Sequence, residues 1–132
     1  MNATMVRPTV SANALEGLYA TGHWLYSQNR LEHARSVFRA MIHIAPHDER
    51  GWLALGACHE AQEQHDVALE LYGAAIATAP AAPRCEVARA RILRLRGKED
   101  EAQDALDEAA RLAEELRDGE LAILVAAERV RT

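Results

Sequence analysis

Apolar residues recur along the chain at the three- and four-residue spacing of amphipathic helices, in segments separated by short polar stretches. The polar stretches lie at residues 27–30, 63–65 and 96–98. Prolines at Pro46, Pro80 and Pro83 lie between other segments, where the missing backbone donor does least harm. The pattern predicts six helices, at about 14–27, 31–44, 49–62, 66–78, 84–96 and 99–115, and a seventh at about 119–131.

The same arrangement returns every 34 residues. Small residues occupy one position of each unit, at Ala34, Ala68 and Ala102. Four residues later come Phe38, Tyr72 and Leu106, and twelve residues earlier come Gly22, Gly56 and Ala90. A period of 34 with small and bulky residues at fixed places is typical of the tetratricopeptide repeat. The sequence therefore predicts an all-α fold of three such repeats, at about 15–48, 49–82 and 83–116.

Local signals predict how the helices begin, end and pack. Asp48 is the expected N-cap of the third helix, and Gly97 is the expected C-terminal stop of the fifth. The small residues of each unit are expected to let its two helices cross closely. Residues 1–13 are expected to form a flexible segment before a single domain at 14–132. The seventh helix is expected to cap the array through an apolar stripe set against a charged face, formed by Leu121, Leu124, Val125 and Val130.

Stacked hairpins of this kind form a solenoid whose first helices line a concave face. The concave positions are predicted to hold, unit by unit, Glu16, Tyr19, His23 and Tyr26; Arg50, Leu53, Ala57 and Glu60; and Arg84, Val87, Arg91 and Arg94. This face is apolar and aromatic in the first two units and basic in the third. The candidate peptide-binding residues are Tyr19, His23, Tyr26, Leu53, Ala57, Glu60, Arg84, Val87 and Arg91.

Two simpler interpretations stay open for this face. Tyr19 and Tyr26 are large, rigid anchors suited to peptide recognition, but they could instead only cover the core of the first hairpin. The basic residues of the third unit could bind an acidic or phosphorylated group, or could be balanced by acidic residues of the following helix.

Composition and charge disfavour several classes of partner. The chain has 132 residues and a net charge of −5, which disfavours nucleic acid and anionic membranes as main partners. We find no apolar run of the length that crosses a bilayer and no targeting segment, and expect a cytoplasmic protein without stable membrane insertion. The two cysteines, Cys58 and Cys85, form no CxxC motif and fit a reducing compartment.

Residues that could carry enzymatic or metal chemistry are scattered. His43 and His47 lie four apart but on either side of Pro46, so they do not share a helical face as paired zinc ligands would. Cys58 has no acid or base beside it in the sequence. We find no phosphate-binding loop, nucleophile motif or carboxylate cluster. The sequence therefore predicts no enzyme, no cofactor and no metal site.

Several stretches resemble the LcrH/SycD-type translocator chaperones of bacterial type III secretion. The similarity extends collinearly from about Leu15 to Ala113 and is carried by the tyrosines at 19 and 26, the segment 26–38, the run Leu55-Gly56-Ala57-Cys58, the segment 65–68, Pro83-Arg84 and the turn at 97–102. The resemblance implies a small acidic cytosolic protein that keeps a hydrophobic translocator soluble and export-competent. It also implies that the groove binds an extended client segment through positions matching Tyr19, Tyr26 and Leu53, with weaker matches around Val87.

Other partners and functions remain open at this point. The chain could be a needle-subunit co-chaperone of the same secretion system, or a general repeat scaffold that bridges two folded proteins. A homodimer is a further expected assembly of the family. A clamp for the C-terminal carboxylate of heat-shock chaperones is not expected, because the positions that would need Lys and Asn hold Tyr19, His23 and Ala54.

Overall fold

The computed structural model describes residues 12–131, and in that range it consists of seven α-helices with no strand. They are α1 (Ala12–Ser27), α2 (Leu31–Ile44), α3 (Glu49–Ala61), α4 (His65–Thr78), α5 (Pro83–Leu95), α6 (Glu99–Glu115) and α7 (Gly119–Arg129). The all-α prediction is confirmed, and each helix begins and ends within two residues of its predicted place. The predicted N-terminal segment lies outside the described residues, except for its last two, which belong to α1.

The turn inside each hairpin contains a residue with the same backbone conformation, and this residue recurs every 34 positions. Asn29, Glu63 and Gly97 all have positive φ, of 60°, 59° and 74°. This left-handed conformation ends the first helix of a hairpin and reverses the chain, and glycine adopts it without the steric cost that other residues bear. The predicted stop at Gly97 is therefore confirmed, and the first two hairpins make the same turn with less favourable residues.

Helix starts are fixed by side-chain caps in two places. The carboxylate of Asp48 accepts a hydrogen bond from the backbone N–H of Arg50 at 3.0 Å, as predicted for the start of α3. Asp118 does the same for α7, accepting from the N–H of Leu121 at 3.0 Å. Both caps satisfy donors that a helix leaves unpaired at its first turn.

Within each hairpin, a bulky residue of the second helix fills the space left by a small residue of the first. A Cβ added at Gly22 would overlap the ring of Phe38, and one added at Gly56 would overlap the ring of Tyr72. In the third hairpin Ala90 and Leu106 occupy these places, and both are fully buried. The repeated alanines at 34, 68 and 102 are also fully buried, which confirms the register of the repeat.

The first helices of successive units pack against one another, whereas the second helices do not. Contacts join α1 to α3, α3 to α5 and α5 to α7, while α2, α4 and α6 make none among themselves in the described range. Because the array is tight along the first helices and open along the second, it curves toward the first helices. The concave face therefore belongs to α1, α3, α5 and α7, and the convex face to α2, α4 and α6.

The capping helix differs from its predicted pattern. Leu121 and Val125 are buried as expected, but Leu124 is 42% exposed and Val130 is 78% exposed. The predicted stripe was wrong at Val130 because α7 ends at Arg129, and wrong at Leu124 because the buried positions of α7 are Leu121, Val125 and Glu128. The outer face is also not charged throughout, since Ile123 is 72% exposed. No helix in the described part of the chain has both the length and the apolar character needed to cross a membrane.

Candidate functional site

Arg50 joins α1 to α3 at one end of the concave face. Its guanidinium lies 2.7 Å from the carboxylate of Glu16 and 2.9 Å from that of Asp48. The same group lies over the ring of Tyr19, 4.9 Å from the ring centre. Hydrogen bonds from Arg50 lower the pKa of Asp48 below its ordinary value. The Arg50 guanidinium is therefore held by two carboxylates and by the face of the Tyr19 ring. This contact orients Tyr19.

Aromatic contacts continue from Tyr19 along α1. The rings of Tyr19 and His23 meet edge to face at 4.5 Å between centres, and His23 meets Phe38 at 5.5 Å. Tyr19 is half-buried and packs on the core of the first hairpin, so it partly covers that core as the simpler interpretation proposed. Tyr26 is 37% exposed, and Leu53 and Ala57 are half-buried on α3. This part of the face is accessible and mainly apolar.

Glu60 links the concave face to the core of the second hairpin. It accepts a hydrogen bond from the hydroxyl of Tyr72 at 2.5 Å and an ion pair from Arg91 of α5 at 2.7 Å. Burial, together with the neighbouring carboxylate, raises the pKa of Tyr72. The phenol stays protonated and remains a donor to Glu60, which in turn fixes the guanidinium of Arg91.

The basic residues at the concave positions of the third unit, Arg84, Arg91 and Arg94, are all paired. Arg84 lies 3.0 Å from Asp118 of α7, and Arg94 donates to the carbonyl oxygen of Glu128 at 2.5 Å. Arg94 also lies 3.4 Å from the carboxylate of Glu99 in the following helix. The predicted balance by acidic residues is present, but most of the acids come from α7 and α3. These basic residues therefore offer little unpaired positive charge to an acidic ligand.

The prediction that Val87 lines the groove is wrong. Val87 is only 2% exposed and packs in the core with Leu121 and Val125. The cause is α7, which lies beside α5 on the concave side and covers this position. The open part of the predicted groove is therefore formed by α1 and α3, and its third unit contributes paired charges.

Sequence reasoning missed Asp48, Asp118 and Glu128 as members of this face. A signal for two of them was present, because Asp118 follows Arg84 by 34 residues and Glu128 follows Arg94 by 34 residues. Extending the repeat register into α7 identifies both pairs. Asp48 lies before α3 and has no counterpart in the 34-residue period, so only its contact with Arg50 in the structure shows that it belongs to this face.

The cysteines are placed for packing. Cys58 and Cys85 are both fully buried and free. Burial raises the pKa of Cys58 to about 11 and raises that of Cys85 further. A thiol that stays protonated at neutral pH is a poor nucleophile. In the described part of the chain, no three His, Cys, Asp or Glu side chains come together as a metal site.

One solved structure with the same architecture is a type III secretion translocator chaperone. The translocator chaperone SycD of Yersinia enterocolitica superposes with a TM-score of 0.76 at 30% identity, over 89% of this chain and 88% of SycD. The chain belongs to this translocator chaperone family. PcrH in complex with the chaperone-binding region of PopB matches at 27% identity with a TM-score of 0.74, over 92% and 99% of the two chains.

The chain is also similar to a curated protein of Yersinia pestis. Low calcium response locus protein H of Yersinia pestis is 32% identical over 97 residues, which is 74% of this chain. The chain spans 58% of the length of that relative. A scan against protein-family models finds no match. SycD has also been crystallised with a peptide of the translocator YopD and as an alternative dimer, and PcrH with the chaperone-binding region of PopD.

Proposed function

We propose that this chain is a cytoplasmic, non-enzymatic chaperone of bacterial type III secretion that binds an extended apolar segment of a secreted translocator. The segment binds across α1 and α3 on the concave face and is thereby kept soluble and competent for export. The observation that carries the proposal is the accessible, mainly apolar surface of Tyr19, Tyr26 and Leu53, bordered by charges that are already paired.

The charge arrangement sets the class of client. Arg50, Glu60 and Arg91 each have an opposite charge within 3 Å. A charged client segment would have to compete with these ion pairs, and removing its charge from water would cost free energy. An apolar side chain that binds beside the pairs has no such cost. The face thus favours a client whose contacting residues are uncharged.

The position of the client is set by which repeat units expose apolar surface on the concave face. Val87 is buried by α7, and Arg84 and Arg94 are paired with acids of α7. The third unit therefore forms a closed, polar boundary, and the apolar anchors of the client contact the first two units. The complexes of SycD with a YopD peptide and of PcrH with PopD and PopB support a segment of this kind.

The test compares three aromatic residues of α1. The chain is co-expressed with the proteins encoded beside its gene, and the client segment that co-purifies is used for calorimetric titration. Replacing Tyr19 and Tyr26 together with Ala should weaken binding by about 2 kcal/mol, roughly thirtyfold. Trp24→Ala is the matched control, because Trp24 is on the same helix and 57% exposed but lies outside the concave positions.

Circular dichroism shows whether each variant keeps its helices. If the folded double Tyr variant binds as tightly as the parent protein, the groove is not the binding site. If Trp24→Ala causes an equal loss, the contact lies on the outer face of α1 and the proposed position is wrong.

A further inference from the structure

The convex side carries an apolar groove that the concave mechanism does not use. It has a volume of about 730 Å³ and lies where α2, α3 and α4 meet. Its walls are formed by Ile42, Ile44, Trp52, Leu55 and Leu71. No close backbone contact joins α2 to α4, so the groove stays open between them: Ile42, Trp52 and Leu71 are half-buried, whereas Leu55 at its base is buried. Ile44 is 40% exposed, a high value for a large aliphatic side chain beside other apolar groups.

The charged groups around this convex groove are of one sign. Arg39 and His43 border it from α2, and no acidic side chain lines it among the described residues. Neither side chain has a hydrogen-bond or ion-pair partner in the described part of the chain, unlike those of Arg50, Arg84 and Arg91 on the concave face. The groove therefore offers positive charge without a neighbouring carboxylate, although the chain as a whole has a net charge of −5.

We propose that the convex groove binds an amphipathic helix of a partner protein that places apolar side chains between α2 and α4 and a carboxylate on Arg39. The walls are helical throughout and offer no strand edge, so an extended peptide would gain no backbone pairing there. A helix satisfies its own backbone groups and packs between two helices. The distance from Ser36 to Ile44 along α2 corresponds to about two helical turns, enough for anchors at i, i+3, i+4 and i+7.

Charge argues against the chain's own first residues as the occupant. The segment Met1 to Ser11 contains Arg7 and no Asp or Glu, so it cannot supply the carboxylate that Arg39 lacks. This site is separate from the proposed translocator groove, because none of its lining residues belongs to the concave positions.

The test uses a helical model peptide of about four turns, with leucines at i, i+3, i+4 and i+7 flanked by glutamates, and a second peptide in which each glutamate is lysine. Fluorescence anisotropy gives the affinities for the full chain. The indole N–H resonances report the position: that of Trp52 should shift on binding, and that of Trp24 should not. Trp52 lines the groove, whereas Trp24 does not.

Matched variants test the contacts. Arg39→Glu and Ile44→Ser should each weaken the acidic peptide about tenfold, and Arg39→Glu should come to prefer the lysine peptide. Arg30→Glu is the control, since Arg30 is exposed and unpaired among the described residues but lies outside the groove. Its effect should stay within about twofold. Tyr19→Ala with Tyr26→Ala should leave this affinity unchanged, which separates the convex site from the concave one.

Several results would overturn the proposal. These are absence of saturable binding, a shift at Trp24 instead of Trp52, or equal losses in Arg39→Glu and Arg30→Glu. Binding that appears only after residues 1–11 are removed would assign the groove to the chain's own N-terminal segment. Self-association that Ile44→Ser abolishes would assign it to a second copy of the chain.

Discussion

The phenol ring of Tyr72 occupies the space that a side chain at Gly56 would need, so the two residues together set how closely α3 and α4 cross. Tyr72 is fully buried, and the ring is surrounded by the core of the second hairpin. A methyl group at position 56 can be accommodated only if this ring or a whole helix moves.

We therefore expect Gly56→Ala to destabilise the protein by about 1–3 kcal/mol, the usual cost of overpacking a core. Gly73→Ala is the matched control, because Gly73 lies within α4 and a Cβ there meets nothing within 4 Å. That variant should be more stable than the parent by up to about 1 kcal/mol, since alanine favours helix. Urea denaturation followed by circular dichroism measures both. Equal free energies of unfolding in the two variants would contradict the close crossing.

The pair of Tyr72 and Arg91 should be energetically coupled through Glu60. Tyr72→Phe keeps the ring and removes only the hydroxyl that donates to Glu60, so we expect a loss of about 1 kcal/mol. In a double-mutant cycle with Arg91→Met, the coupling free energy should exceed about 0.5 kcal/mol. Tyr26→Phe, at an exposed position, should change little. Strict additivity of Tyr72→Phe and Arg91→Met would show that Glu60 does not connect them.

Asp48 should give the protein a stability contribution that disappears in acid. Its pKa is lowered in the folded protein, chiefly by the hydrogen bond from the Arg50 side chain, so folding favours the carboxylate. The contribution is fully present above the ordinary Asp pKa of about 3.9 and is lost as the pH falls through the lowered value. Asp48→Asn can still cap α3 but has no charge for Arg50.

The difference in unfolding free energy between the parent protein and Asp48→Asn should therefore be largest at neutral pH, by less than about 1 kcal/mol, and should shrink below about pH 4. Thermal melts from pH 7 to pH 3 measure it. Asp104→Asn, at an exposed position in α6, is the control and should give no such trend. A difference that is constant or grows in acid would mean that Asp48 is not stabilised as a carboxylate.

The helices could be predicted from the sequence because their limits are local. Pro46, Pro80 and Gly97 interrupt the chain where a helix cannot continue, and the repeat supplies each limit more than once. The close crossings were also predictable, because Gly56 and Tyr72 stand at fixed places in the 34-residue period. These signals depend on neighbouring residues or on the repeat itself.

Which groove residues are buried and which charges are paired could not be predicted in the same way, because both depend on which helices lie side by side. Val87 has the same register as Leu53, yet α7 buries it. Arg91 has the same register as His23 and Ala57, yet it is held by Glu60 from the preceding unit. The burial of Val87 and the ion pair of Arg91 both depend on the distance between successive first helices. The residues of a single helix do not determine that distance.

The pairing of charges between first helices has a kinetic consequence. Arg50, Arg84, Arg91 and Arg94 each have an acidic partner in contact, so the concave face projects little net potential into the solvent. Without electrostatic steering, a client segment meets this face at the ordinary rate for neutral docking, about 10⁵–10⁶ M⁻¹s⁻¹. The encounter rate is then nearly independent of ionic strength, and the lifetime of the complex, set by the apolar anchors, determines how long a client is held.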